Sequence, residues 1–122
     1  MKWQFSNSAP IYAQLIEQIK MAIVSGIFPA GERLPSVREL AAETGVNPNT
    51  MQRAMTELER DGLVYSQRTA GRFVTEDGEV IATARRALAQ RHLETFLAAM
   101  KGLGYEQEEI ESLLLQSNEK ED

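Results

Sequence analysis

Two helix-start signals stand so close together that few folds can hold both. Ser36 and Glu39 have the S-x-x-E spacing of a capping box, in which each side chain satisfies the other residue's backbone N–H. Val37, Leu40, Ala41 and Val46 mark the buried side of this short helix, and Gly45 closes it. Asn47 then serves as an N-cap, and Pro48 suits the first helical position, where no backbone N–H is needed. Met51, Ala54, Met55 and Leu58 follow at helical spacing and face inward, and Gly62 ends the segment. The connection is Gly45-Val46-Asn47, about three residues, which is helix-turn-helix spacing.

The flanks extend this frame. Trp3 and Phe5 alternate with polar residues, as in a short strand or an anchoring arm. Pro10 precedes Tyr12, Leu15, Ile16, Ile19, Ala22 and Ile23, the periodicity of an amphipathic helix that Gly26 and Pro29 stop. After Gly62 the period changes from helical to alternating. Leu63–Ser66 and Arg72–Thr75 are β-prone and flank Gln67–Gly71, so a hairpin follows the third helix. This is the outline of a winged helix. From Glu79 to Lys101 a long helix carries two apolar stripes. Ile81, Ala84, Leu88 and Ala99 form one, with His92 among them. Ala89, Leu93, Leu97 and Met100 lie roughly 100–120° away. Two stripes require two partners. Gly102 and Gly104 break the helix, and Glu106, Glu108 and Glu109 suit the first turn of a last one. That last helix is expected to bury Ile110, Leu113 and Leu114, and Ser117–Asp122 to fray.

Composition excludes much chemistry. There is no cysteine, hence no disulfide, thiolate metal site or thiol nucleophile. One histidine, His92, cannot build most metal or Ser-His-Asp sites and reads as a partly buried structural residue. No P-loop, dinucleotide fingerprint or nucleophile elbow occurs. No catalytic residue, metal or cofactor is expected. No apolar run suits a membrane span or a signal peptide, so a cytoplasmic location is expected. The net charge of −5 argues against nucleic acid until it is divided. Residues 1–75 hold eight Lys/Arg against seven Asp/Glu, or +1; residues 76–122 hold five against eleven, or −6. Only the first part can face a polyanion.

Within that part, the outward face of the third helix offers Asn49, Gln52, Arg53, Thr56 and Arg60. Asn and Gln pair bidentately with adenine and Arg with guanine, while Thr50 near the helix start can reach phosphate or a thymine methyl. Arg33 and Arg38 bracket the capping box: Arg33 as a phosphate clamp or a partner of Glu32, Arg38 as a groove reader or a partner of Glu39 or Glu43. Arg68 and Arg72 sit on the hairpin, facing DNA or solubilising it; Arg68 is the nearer to the tip and Arg72 the less important. Three functions stay open on residues alone. They are a DNA-binding regulator, a winged-helix module that binds protein and not DNA, and, remotely, a small enzyme.

Residues 33–74, RLPSVRELAAETGVNPNTMQRAMTELERDGLVYSQRTAGRFV, resemble a GntR-family transcription regulator. The lead-in at residues 10–36 is similar to the family's first helix and strand. The 47 residues after Thr75 are too few for the effector domains of the large subfamilies and resemble the two-helix tail of the short YtrA-like subfamily. The resemblance implies a mainly α fold with a small β-hairpin: a winged helix-turn-helix DNA-binding domain over 1–75 and a C-terminal helical dimerisation region over 76–122. It implies a bacterial, homodimeric repressor of a nearby operon, often one encoding a transporter, bound to a near-palindromic double-stranded DNA operator. No effector ligand can be named. DNA-binding positions are Arg33, Ser36, Arg38, Asn47, Asn49, Thr50, Gln52, Arg53, Arg68, Thr69 and Gly71. Dimer positions are Ile81, Leu88, His92, Leu93, Phe96, Leu97, Met100, Ile110, Leu113 and Leu114. Family wings often read R-G-x-G-x-F-V; here Thr69 replaces the first glycine, and Gly71 is expected to take a positive φ.

Overall fold

A computed structural model describes residues 1–120, with Glu119 and Lys120 described by their backbone alone. The order is α1 (Ile11–Val24), α2 (Val37–Thr44), α3 (Pro48–Arg60), β1 (Val64–Gln67), β2 (Gly71–Val74), α4 (Gly78–Gly102) and α5 (Gln107–Lys120). The chain divides into two compact units, Met1–Arg86 and Ala87–Asp122.

The first unit is a winged helix-turn-helix. Its core takes Leu15, Ile19 and Ile23 from α1, Leu40 and Ala41 from α2, and Met51, Ala54, Met55 and Leu58 from α3. Val64 and Val74 add the base of the hairpin. Each helix therefore buries the stripe its periodicity marks, and burial of large apolar side chains is the main source of its stability. β1 and β2 pair antiparallel, Val64 opposite Val74 and Gln67 opposite Gly71. The segment before α2 adds a third rung line. Leu34 N–H donates to Arg72 O at 2.8 Å, and Val74 N–H to Glu32 O at 3.0 Å. The strand expected in the lead-in is thus a single bridge, Arg33 to Phe73. Val80, Ile81 and Ala84, in the first two turns of α4, also pack against this core.

Residues 1–9 form an anchoring arm and no strand. Trp3 and Phe5 pack half-buried against the core. Side-chain amides of α1 hold the intervening residues. The Gln18 amide accepts from Gln4 N–H and donates to Gln4 O. Gln14 does the same for Ser6. The arm thus finds its backbone partners on a helix instead of in a sheet.

In the second unit Leu88 and Ile110 are buried. The expected burial of Leu113 and Leu114 does not occur within one chain, where they are 36% and 47% exposed. Two helical segments supply no further layer to cover them. His92 is exposed, not partly buried. Helix α5 runs on through Ser117 to Lys120; Glu121 and Asp122 lie outside the described residues.

Candidate nucleic-acid interface

Local chemistry sets the angle between α2 and α3. Ser36 Oγ accepts from Glu39 N–H at 3.1 Å, and Ser36 N–H donates to Glu39 Oε1 at 3.2 Å, completing the capping box. That backbone donor, then the Ser36 side chain, and more weakly the Arg33 charge hold the Glu39 carboxyl below the usual carboxylate range. Gly45 closes α2 at φ +74°, and its N–H reaches Ala41 O at 2.9 Å. Val46 is drawn into the core, and Asn47 Oδ1 accepts from Asn49 N–H at 2.8 Å to start α3. Three residues thus end one helix, anchor the turn and begin the next.

α3 buries Met51, Ala54, Met55 and Leu58, which leaves Asn49, Gln52, Arg53, Thr56 and Arg60 exposed. Thr50 is half-buried at its edge. A groove of about 280 Å³ runs beside this face and is lined by Arg33, Ser36, Arg38, Gln52, Gly71 and Arg72, among others. It unites residues of the α2 start, α3 and the wing. Asn47, Asn49 and Thr50 stand at the N-terminal end of α3, while Arg68 and Thr69 occupy the exposed hairpin tip.

The arginines differ in ways that sequence does not reveal. Arg53 lies over the Tyr12 ring of α1, with its guanidinium carbon 4.5 Å from the centroid, a cation–π contact. Arg60 pairs with Glu57 at 3.1 Å. Arg72 is no free solubilising charge: it is bound to Glu59 of α3 at 2.5 Å. Among the described residues Arg38 and Arg68 have no ion pair, so both remain available to a polyanion. Glu59, Ser66 and Tyr12 are the participants that sequence reasoning missed. Their partners lie on other elements of the fold, and no motif marks them.

The wing tip accommodates its departure from the family pattern by backbone strain. Ala70 N–H donates to Gln67 O at 3.1 Å, and Thr69, inside that turn, takes φ +65°. A threonine thus occupies a conformation that glycine adopts more cheaply. Gly71 has φ +106°, as expected, and a Cβ there would lie 3.0 Å from Arg33 Nε. The Arg33 side chain can shift, so the dihedral decides the cost. Gly71→Val should therefore destabilise the protein by roughly 1–3 kcal/mol. Thermal unfolding checks this, and an unchanged midpoint would show that the hairpin does not need the positive φ.

Known proteins share this arrangement. Residues 11–74 match the family described as bacterial regulatory proteins, gntR family. Over 107 residues the chain is 43% identical to the HTH-type transcriptional regulator YhcF of Bacillus subtilis (strain 168), covering 88% of each chain. Over 105 residues it is 34% identical to the HTH-type transcriptional repressor YtrA of the same organism, covering 85% of this chain and 81% of that one. The structure of a GntR family transcriptional regulator from Listeria monocytogenes superposes with a TM-score of 0.83 at 39% identity, covering 92% of this chain and 98% of that chain. The structure of AraR(DBD) in complex with operator ORX1 superposes with a TM-score of 0.53 at 32% identity, covering 62% of this chain and 92% of that chain.

Proposed function

The chain belongs to the gntR family of bacterial regulatory proteins and is a DNA-binding transcription regulator; from that premise we propose that it acts as a homodimeric repressor on a near-palindromic operator close to the operon it controls, one encoding a transporter. The observation that carries the site is the groove lined by Arg33, Ser36, Arg38, Gln52 and Gly71, beside the polar face of α3. In this reading α3 enters the major groove. Gln52 and Asn49 meet base edges, with Arg53 on the same face once it leaves Tyr12. Arg38 reads a base at the groove entrance. Arg33, Ser36, Asn47 and Thr50 meet the sugar–phosphate backbone, and Arg68 and Thr69 touch DNA from the wing.

The likeness to a repressor, YtrA, supports the sign of regulation. Residues 1–75 act as the DNA-binding part and residues 76–122 as the dimerisation part. Exposed Leu93, Phe96, Leu113 and Leu114 support this assignment. Twofold symmetry would place two recognition helices about 34–36 Å apart on the operator. Among the described residues no helix is long and apolar enough to cross a membrane, and the proposed place of work is the cytoplasm.

Arg38→Ala tests the assignment of base readout. Affinity for DNA from upstream of its own gene should fall by roughly 1–3 kcal/mol, with a smaller loss on random DNA of equal length. Arg53→Ala should lose less than Arg38→Ala, because Tyr12 already engages its guanidinium. Equal losses of Arg38→Ala on both DNAs would assign Arg38 to phosphate.

A further inference from the structure

One carboxylate ties the wing to the recognition helix. Glu59 stands in the last turn of α3, and its Oε1 accepts from both hairpin strands. The Ser66 hydroxyl on β1 donates at 2.5 Å, and Arg72 Nε on β2 donates at 2.5 Å. Ser66 and Arg72 are cross-strand partners, so one oxygen holds a whole rung of the ladder. The next rung, Gln67 with Gly71, closes the turn that carries Arg68. Below the clamp, Tyr65 and Phe73 stack at 5.7 Å, and Val64 and Val74 are buried. The base of the hairpin is therefore held by the core. Its outer half is held to α3 by Glu59, while the Arg72 carbonyl is also held by Leu34 N–H from the segment before α2.

The bonds to Ser66 first and to Arg72 second keep the Glu59 carboxyl below its usual range, so it is the charged, stronger acceptor that makes the clamp. At 30% and 23% side-chain exposure, Glu59 and Arg72 lie at the edge of the core.

We propose that Glu59 is a positioning residue for DNA recognition: by holding the Ser66–Arg72 rung it sets the angle of the wing to α3, so that the Arg68 tip and the α3 face meet one duplex together. This rests on the reading that Arg68 touches DNA. It also gives Arg72 an indirect part in binding, through Glu59 and not through phosphate.

The experiment compares full-length wild type, Glu59→Ala, Arg68→Ala and the double variant on operator-bearing DNA across a salt series, with thermal unfolding alongside. Arg68→Ala should lower the slope of log affinity against log salt by about one. Glu59→Ala should lower it by a similar amount and weaken binding by about tenfold, with a fall in the unfolding midpoint that is smaller than that of a core truncation and leaves the protein folded at the assay temperature. The double variant should lose little beyond Arg68→Ala alone, since both changes remove the same contact. If Glu59→Ala unfolds, Glu59→Gln keeps the shape without the charge and should flatten the slope in part. An unchanged slope in the folded Glu59 variant, beside a flattened Arg68→Ala, overturns the role of Glu59 alone. So does a steeper slope, from freed Arg72 finding a phosphate, or a double variant that loses the full sum of the singles. An unchanged slope in Arg68→Ala overturns the wing-contact reading and this inference with it.

Discussion

Phe96→Glu should convert a dimer into a monomer and weaken operator binding by about 10²–10⁴-fold. Within the unit Ala87–Asp122, Leu93 is 48% exposed, Phe96 37%, Leu113 36% and Leu114 47%. Soluble monomers seldom leave so many large apolar side chains in water without an interaction to explain them. A second copy of the same helices would close such a surface by symmetry. A glutamate at the seam would have to shed its hydration without an opposite charge to receive it. Folding should survive, because Phe96 already meets solvent in the single chain. Operator binding suffers more than stability does. In a dimer, the first half-site holds the second recognition helix at high effective concentration, and a monomer loses that gain. Sedimentation gives the oligomeric state, and a gel shift gives the affinity. Wild-type protein sedimenting as a monomer at micromolar concentration would sink the dimer. A mutant that remains dimeric would move the seam away from Phe96.

Leu58→Ala should lower stability by roughly 2–5 kcal/mol, out of a total that for a domain is about 5–15 kcal/mol. Leu58 is 0% exposed and belongs to the core shared by α1, α2, α3 and the hairpin. Its carbonyl also accepts from Leu63 N–H at 3.1 Å, where the chain leaves α3 for the wing. Truncation removes the apolar contacts and leaves a cavity that the surrounding helices cannot fill by a small shift. Each kcal/mol corresponds to roughly 4–8 °C for a domain of about 60–100 residues, so the fall in midpoint should be large. Thr56→Ala is the control: it lies on the exposed face of the same helix, where substitutions stay within about 0.5 kcal/mol. Equal midpoints for Leu58→Ala and wild type would mean that the core was wrongly placed.

The sequence by itself determined those features whose causes lie within a few residues. Ser36 and Glu39 are three apart, and their reciprocal bonds exist wherever that turn forms. Asn47 caps a backbone N–H two residues on, and Gly45 takes a positive φ that its own lack of a Cβ permits. Periodicity marked Met51, Ala54, Met55 and Leu58 because a helix repeats a side chain's direction every 3.6 residues, whatever it later packs against. The winged helix, and most of the exposed polar face of α3, were legible for these reasons.

Only the tertiary structure decided which arginines remain free for DNA. Arg72 meets Glu59 across 13 residues, Arg53 meets the Tyr12 ring from another helix, and Trp3 Nε1 donates to Glu43 across 40 residues. Such pairings depend on where separate segments cross, and charge or aromatic character at one position does not specify a crossing. The alternation of Trp3 and Phe5 fitted strand or arm, and the amides of Gln14 and Gln18 decided for the arm. Thr69 was visible as a departure from the wing pattern, but its left-handed backbone follows from closing the loop between paired strands. Leu113 and Leu114 have the spacing of a buried stripe, yet a stripe becomes buried only where another surface covers it. Periodicity says which side of a helix must leave water; it does not say whether the covering surface comes from the same chain or from a second one.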